Sequence, residues 1–268
     1  MYPSHWGLSR SPFGPQLDPR QFFASPGHDE ALARMHFLIE EHRRLGLLLG
    51  PSGCGKSLLL EMIARRVRAW GRVAAKTTLL GVDLAGFLAT LAGELCIALP
   101  EGVPAWRIWQ ALDRRFRENR YQQLETVLLL DDADQAAPEV LTQVARIAKH
   151  DLTPDSRLTL ILAGRADRIG RIGETLLDLA ELRIDVPAWD ADDTRAFLNR
   201  SLKLAGGQTA VIVGEAARRM HDLAGGTPRR VRQLADLALL AAAGMNLDAV
   251  DVATVEAACE QLGVHPLG

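Results

Sequence analysis

Gly50-Pro51-Ser52-Gly53-Cys54-Gly55-Lys56-Ser57 fills every fixed position of the pattern GxxxxGK[ST]. The residues before it, Leu45 to Leu49, are a short apolar run that reads as a strand. Those after it read as a helix to Trp70, with Gly71 as its C-cap. A strand, a glycine-rich turn and a helix start in this register describe a phosphate-binding loop. The glycines let backbone N–H groups converge on phosphate oxygens without Cβ clashes, and the helix N-terminus adds a partial positive charge. Lys56 is expected to reach the β- and γ-phosphates and Ser57 to coordinate Mg²⁺. Gly50, Pro51, Ser52, Gly53, Cys54, Gly55 and Leu58 complete the expected nucleotide contacts. Cys54 reads as a small residue donating only its amide, or else as a thiol that bound nucleotide shields.

A second motif lies downstream. Val127-Leu128-Leu129-Leu130-Asp131-Asp132 is an apolar run closed by two carboxylates, which in a phosphate-loop protein is the Walker B pattern. Asp131 is expected to hold Mg²⁺, largely through water, and Asp132 to orient and deprotonate the attacking water. Between Lys56 and Asp131 there is room for another strand (Arg72 to Thr77) and two or three helices. The two motif strands are therefore not consecutive, as in ATPases with an additional central strand. No NKxD guanine-specificity motif is present, so ATP is favoured over GTP.

Further out, strands and helices alternate as far as Pro187, which implies a parallel α/β sheet. Helices are expected at His28 to Arg43, Asp83 to Leu99, Pro104 to Leu124, Pro138 to His150 and Ala166 to Ala180. Further strands are expected at Leu158 to Ala163 and Leu182 to Val186. After Pro187 only helical patterns remain. The expected domains are 1–187, including an extended arm at 1–27, and a helical lid at 188–268. The 268 residues carry 31 Lys+Arg against 33 Asp+Glu, a net charge of -2. That balance argues against a protein whose main task is coating nucleic acid, though not against a local basic patch. Candidate patches are Arg65, Arg66 and Arg68, then Arg114, Arg115, Arg117 and Arg120, then Arg229, Arg230 and Arg232. Neighbouring acids such as Asp113 and Glu118 favour reading them as solvated faces. Trp106, Trp109 and Phe116 read as core rather than as base-stacking platforms. Three scattered cysteines, Cys54, Cys96 and Cys259, suggest neither a disulfide framework nor a zinc site. A cytoplasmic location is expected, with no signal peptide and no membrane insertion by this chain.

The N-terminal run His5-Trp6-Gly7-Leu8, Pro12-Phe13, Asp18-Pro19-Arg20, Phe23 and His28-Asp29-Glu30-Ala31-Leu32, the run Asp131-Asp132-Ala133-Asp134-Gln135, and Gly225-Gly226-Thr227-Pro228-Arg229-Arg230 together resemble one family. It is the AAA+ ATPase domain of the general secretion pathway protein A (ExeA) type, related to transposition ATPases of the TniB and TnsC kind. The resemblance implies a three-layer αβα sandwich with a central parallel sheet, followed by a small helical lid. It also implies an ATP- and Mg²⁺-dependent ATPase that self-associates. Pro228 and Arg229 match the element whose arginine senses the γ-phosphate from the lid. Arg165 stands where the family places a polar sensor residue, usually Gln. Arg183 matches an arginine that acts in trans as a finger, with Arg168 and Arg171 as competitors. Phe13 and His28 belong to an arm that helps enclose adenine, although Phe13 and Trp6 serve equally as core anchors. Asp132 replaces the family's usual Glu and is one methylene shorter, so slow hydrolysis is expected.

Three functions are compatible with these readings. The first is an oligomerising ATPase that drives assembly of a secretion or pilus-type complex with an envelope partner. The second is a transposition-type ATPase that binds DNA. The third is a nucleotide-gated scaffold that barely turns ATP over.

Overall fold

A computed structural model describes residues 2–14, 22–207 and 211–263. Asp18, Pro19 and Arg20 of the arm motif lie outside the described residues. The first half of the chain contains α1 (Tyr2–His5), α2 (Pro26–Glu40), β1 (Leu45–Leu49), α3 (Lys56–Ala69), β2 (Val73–Thr78), α4 (Leu84–Glu94), α5 (Ala105–Tyr121) and β3 (Thr126–Asp131). Then come α6 (Pro138–Ala148), β4 (Leu158–Gly164), α7 (Glu174–Asp178) and β5 (Leu182–Asp185). Helices α8 (Ala191–Leu204), α9 (Gly214–Ala224), α10 (Pro228–Gly244) and α11 (Val252–Gln261) follow. Contacts divide these elements into a sheet unit, Pro26–Pro51 with Lys56–Val186, and a helical unit, Met1–Ser25 with Ser52–Gly55 and Pro187–Gly268.

The sheet unit is a three-layer α/β fold. Its five strands are all parallel and run in the order β2-β3-β4-β1-β5. β4 therefore lies between the phosphate-loop strand β1 and the acidic strand β3, while β2, the strand that separates the two motifs in sequence, lies at the sheet edge. Successive strand residues point to opposite faces. Leu45, Leu47 and Leu49 of β1, Leu128 and Leu130 of β3, and Leu158, Leu160 and Leu162 of β4 join a core with Phe87, Leu112, Phe116 and Val144 of α4, α5 and α6. The intervening residues Leu48, Val127, Leu129, Ile161 and Ala163 are equally buried; α2 and α3 also pack on the sheet. Burial on both faces is why these strands read as continuous apolar runs rather than as alternating ones. Each buried Leu contributes about 1.5–3 kcal/mol.

Two expectations need correction here. The helix read over Ala166 to Ala180 is a 3₁₀ segment (Ala166–Ile172) followed by the short α7, with the break at Gly173. Gly173 has φ +88°, which no α-helix accommodates. Trp106 is not core: it is 57% exposed, with Arg107 over its ring. The buried stripe of α5 runs Ile108, Trp109, Leu112 and Phe116, and at about 100° per residue position 106 lies roughly 120° round the helix from Leu112, outside that stripe.

The helical unit packs α8 to α11 around Leu198, Leu202, Met220, Val231, Leu234, Ala238 and Val255. A capping box between Asp190 and Asp193 starts α8. The N-terminal arm belongs to this unit rather than to the sheet with which the sequence reading groups it. It is also not wholly extended, since Tyr2–His5 form a helical turn. Leu8 and Phe13 are buried in this core, with Phe13 packed 5.8 Å from the Phe197 ring. The Tyr2 hydroxyl donates to the Asp236 carboxylate, the Ser11 hydroxyl donates to it at 3.0 Å, and the Trp6 indole N–H donates to the Leu239 carbonyl at 3.1 Å. No helix among the described residues is long and apolar enough to cross a membrane.

Candidate functional site

The phosphate loop follows β1 and opens α3. Gly53 and Gly55 take φ +81° and +106°, a region open to glycine at little cost. The Lys56 ammonium donates to the carbonyls of Gly50 and Pro51, both at 2.9 Å, which folds the lysine back along its own loop. Cys54 is fully buried, so its side chain contributes packing. The loop is divided between the two units: Gly50 and Pro51 group with the sheet, Ser52–Gly55 with the helices. Inside the helical unit, the Arg229 amide donates to the Gly53 carbonyl at 3.2 Å. A Cβ on Gly53 would lie 2.9 Å from Thr227 Cγ2 and 3.0 Å from Arg229 Cβ. Strain in the left-handed region, about 1–2 kcal/mol, would add to that crowding. Gly53→Ala is therefore expected to weaken nucleotide binding by about tenfold or more, read by titration with a fluorescent ATP analogue. Wild-type affinity in that variant would show that the loop tolerates a side chain here.

The Walker B pair sits at the C-terminal end of β3. Asp131 is 7% exposed. Burial pushes its carboxyl above the usual carboxylate range, while a hydrogen bond from the Ser57 side chain opposes that shift. The fold thus joins the two residues expected to hold Mg²⁺. Asp132 turns the chain with φ +55° and ψ +37°, a left-handed conformation that aspartate tolerates better than most residues. Its amide donates to Asp131 Oδ1 at 3.0 Å. Its own carboxylate accepts from the Thr78 hydroxyl at 3.1 Å and from the Gln135 amide nitrogen at 3.2 Å. The Asp132 carboxylate thus faces the end of β2. The sequence reading missed Thr78 and Gln135. Gln135 belongs to the quoted acidic run; Thr78 comes beside Asp132 only because β2 pairs with β3.

Arg165 leaves β4 with its guanidinium on Asp167, at 2.9 and 2.6 Å. Arg183, on the edge strand β5, makes bonds of 2.9–3.0 Å to Asp185. Arg168 and Arg171 lie in the 3₁₀ segment. His28 is buried in the first turn of α2. Pro228 starts α10, with Arg229 next. Of the expected basic patches, Arg65 pairs with Glu61, Arg114 with Glu118, Arg117 with Asp113 and Arg120 with Asp151.

Residues 39–172, half of the chain, match the AAA domain family, and the chain belongs to that family. It is similar to general secretion pathway protein A of Aeromonas hydrophila, 25% identical over 248 residues. That match covers 90% of this chain and 45% of the relative, so the chain spans less than half the length of the curated protein it resembles. Among solved structures, Cdc6p of Pyrobaculum aerophilum aligns with TM-score 0.76 at 17% identity, over 94% of this chain and 70% of that one. The ORC2 protein of Aeropyrum pernix, in ADPNP–ADP complexes, aligns with TM-score 0.72 at 18% identity, over 98% and 74% respectively. These likenesses fix the fold: a P-loop AAA+ α/β architecture with a parallel central sheet and further helices.

Proposed function

We propose that the chain binds ATP with Mg²⁺ and hydrolyses it. The observation that carries this reading is the glycine-rich loop, closed by bonds from the Lys56 ammonium to the Gly50 and Pro51 carbonyls, together with the buried Asp131 carboxylate at the end of β3. The Ser57 hydroxyl next to that lysine and the Asp131 carboxylate are the donor types of a partly hydrated Mg²⁺ on a nucleotide. Ser57 and Asp131 would hold the ion. Lys56 and the amides of residues 50–58 would hold the phosphates, and Asp132 would orient and deprotonate the water. When bound, the ion and nucleotide supply a polarised terminal phosphoryl group. Arg229 takes the γ-phosphate sensor role. Arg165 is proposed as a second sensor, which requires it to exchange Asp167 for the nucleotide. Phe13 packs as a core anchor, which weakens its adenine role and leaves His28, on α2, as the remaining adenine candidate. The ADPNP–ADP complexes of the A. pernix neighbour agree with nucleotide as the ligand.

The larger role we infer is ATP-driven assembly of a secretion or pilus-type complex, by a self-associating cytoplasmic ATPase with an envelope partner. It rests on the similarity to general secretion pathway protein A. Acid pairing of the α3 and α5 arginines favours this over the DNA-binding alternative, because paired guanidiniums release fewer counterions from a phosphate backbone. The scaffold reading has one specific support: both oxygens of the short Asp132 side chain are held by Thr78 and Gln135.

The test is the hydrolysis rate per protomer as protein concentration rises, for wild type and Arg183→Ala. A finger contributes about 10³–10⁵ in rate. Assembly through Arg183 is expected to give a rate that climbs with concentration in the wild type and stays low and flat in the variant. The Asp185 pair is half-exposed on both sides and screened by water, so it does not prevent exchange. A flat, measurable wild-type rate would remove the trans finger. A rate near zero throughout would put the scaffold ahead.

A further inference from the structure

We propose that Asp134 is a positioning residue that ties the Walker B turn to the end of β4, and through it to the start of the phosphate loop. The inference rests on the ATPase reading above. Asp134 is 2% exposed, in the 3₁₀ turn Ala133–Gln135 directly after the Walker B pair. Its Oδ1 accepts the backbone N–H of Arg165 at 3.1 Å. The preceding carbonyl, that of Gly164, accepts the N–H of Gly50 at 3.3 Å. One carboxylate oxygen thus begins a chain of bonds that crosses three segments: residues 132–135, the 164–165 peptide and the first residue of the phosphate loop. All three lie in the sheet unit. The approach is close, since a Cβ on residue 164 would lie 3.0 Å from Asp134 Oδ1, and glycine leaves that space open.

The chemistry of the pair supports a positioning role. Arg165 is the first residue beyond the β1–β4 register, which ends at Leu49 and Gly164. Its N–H has no ladder partner to return to. Asp134 Oδ2, in contrast, is buried without a hydrogen-bond partner. An unsatisfied buried acceptor costs about 1–3 kcal/mol, so the carboxylate gains little for itself here. What it does is set where β4 ends relative to Asp131 and Asp132. A displacement of about 1 Å at such a site can cost on the order of 10²-fold in rate.

The backbone allows a direct test. Arg165 has φ −83° and ψ +136°, a conformation proline adopts. Arg165→Pro therefore deletes the N–H, and Arg165→Ala, which loses the same side chain but keeps the N–H, is its reference. The measurements are kcat for ATP hydrolysis, affinity for a fluorescent ATP analogue, and unfolding free energy. Asp134→Ala is expected to lower kcat about tenfold or more while nucleotide affinity stays within about threefold. Asp134→Asn, which keeps an acceptor oxygen, is expected to stay within about threefold of wild type in both. Arg165→Pro should fall below Arg165→Ala by the Asp134→Ala factor. The double variant Asp134→Ala/Arg165→Pro should be no worse than Arg165→Pro alone, in kcat and in stability. Full activity in Asp134→Ala, equality of the two Arg165 variants, or multiplying effects in the double variant would overturn the proposal. A wild type with no hydrolysis under any condition would instead overturn the ATPase reading on which it rests.

Discussion

Lys56→Ala is expected to abolish measurable ATP hydrolysis, with a loss of about 10²–10³-fold or more, and to weaken ATP binding by about tenfold. The lysine is the one cation in the motif, and the terminal phosphates carry the charge that grows in the transition state. Removing one preorganised donor to such charge costs about 10²–10³ in rate. The structure adds a second consequence. The ammonium also bonds the carbonyls of Gly50 and Pro51, so Ala removes a tie that closes the loop. The affinity loss should therefore extend to ADP, which lacks the γ-phosphate. Steady-state hydrolysis and separate ATP and ADP titrations decide the matter. Hydrolysis within a few-fold of wild type would mean that the loop is not a catalytic phosphate site. An ADP affinity equal to wild type would show that only the terminal phosphate is read by this residue.

Asp131→Asn is expected to move function and stability in opposite directions. Hydrolysis with Mg²⁺ should fall by about 10²-fold, since a neutral amide is a poor partner for a hard cation that prefers charged oxygen. The nucleotide-free protein should be more stable. Asp131 is buried at the end of an apolar strand, and that burial disfavours its charge. The Ser57 bond offsets only part of the penalty, and an amide oxygen can still accept it. Relief of about 1 kcal/mol raises an unfolding midpoint by roughly 2–4 °C in a chain near this size. The measurement is thermal unfolding with and without Mg-ATP. The variant should start higher and gain little from Mg-ATP, while the wild type starts lower and gains more. A variant less stable than wild type without nucleotide would mean that the carboxylate is structural, held for its bonds rather than for an ion.

Arg165, Arg183 and Asp134 show where a sequence stops being informative about a site. The first two are legible as candidates because they follow strands in a chain resembling a known ATPase type. Their present partners, Asp167 and Asp185, stand only two residues away in each case, yet no motif marks them. Short ion pairs of this kind are set by side-chain rotamers at a strand end, and the sequence pattern says nothing of those. In the sequence, Asp134 is one residue of a run that resembles a family motif. Its bond to Arg165 spans 31 positions and exists because β3 and β4 are neighbours.

The phosphate loop, the acidic pair, the parallel sheet and the helices after Pro187 are legible in the sequence alone. These follow from local rules: where glycine is needed, how apolar runs alternate, which residues start and stop a helix. Tertiary structure alone sets the left-handed turn at Asp132 and rests its carboxylate on Thr78 and Gln135. It also placed the N-terminal arm on the C-terminal helices, with Phe13 in their core, and broke the helix expected over 166–180 at Gly173. The physical reason is common to all of these. Each depends on which distant segments the strand order and helix packing bring within hydrogen-bond or van der Waals reach, and that proximity is a property of the assembled sheet and bundle, not of any window along the chain.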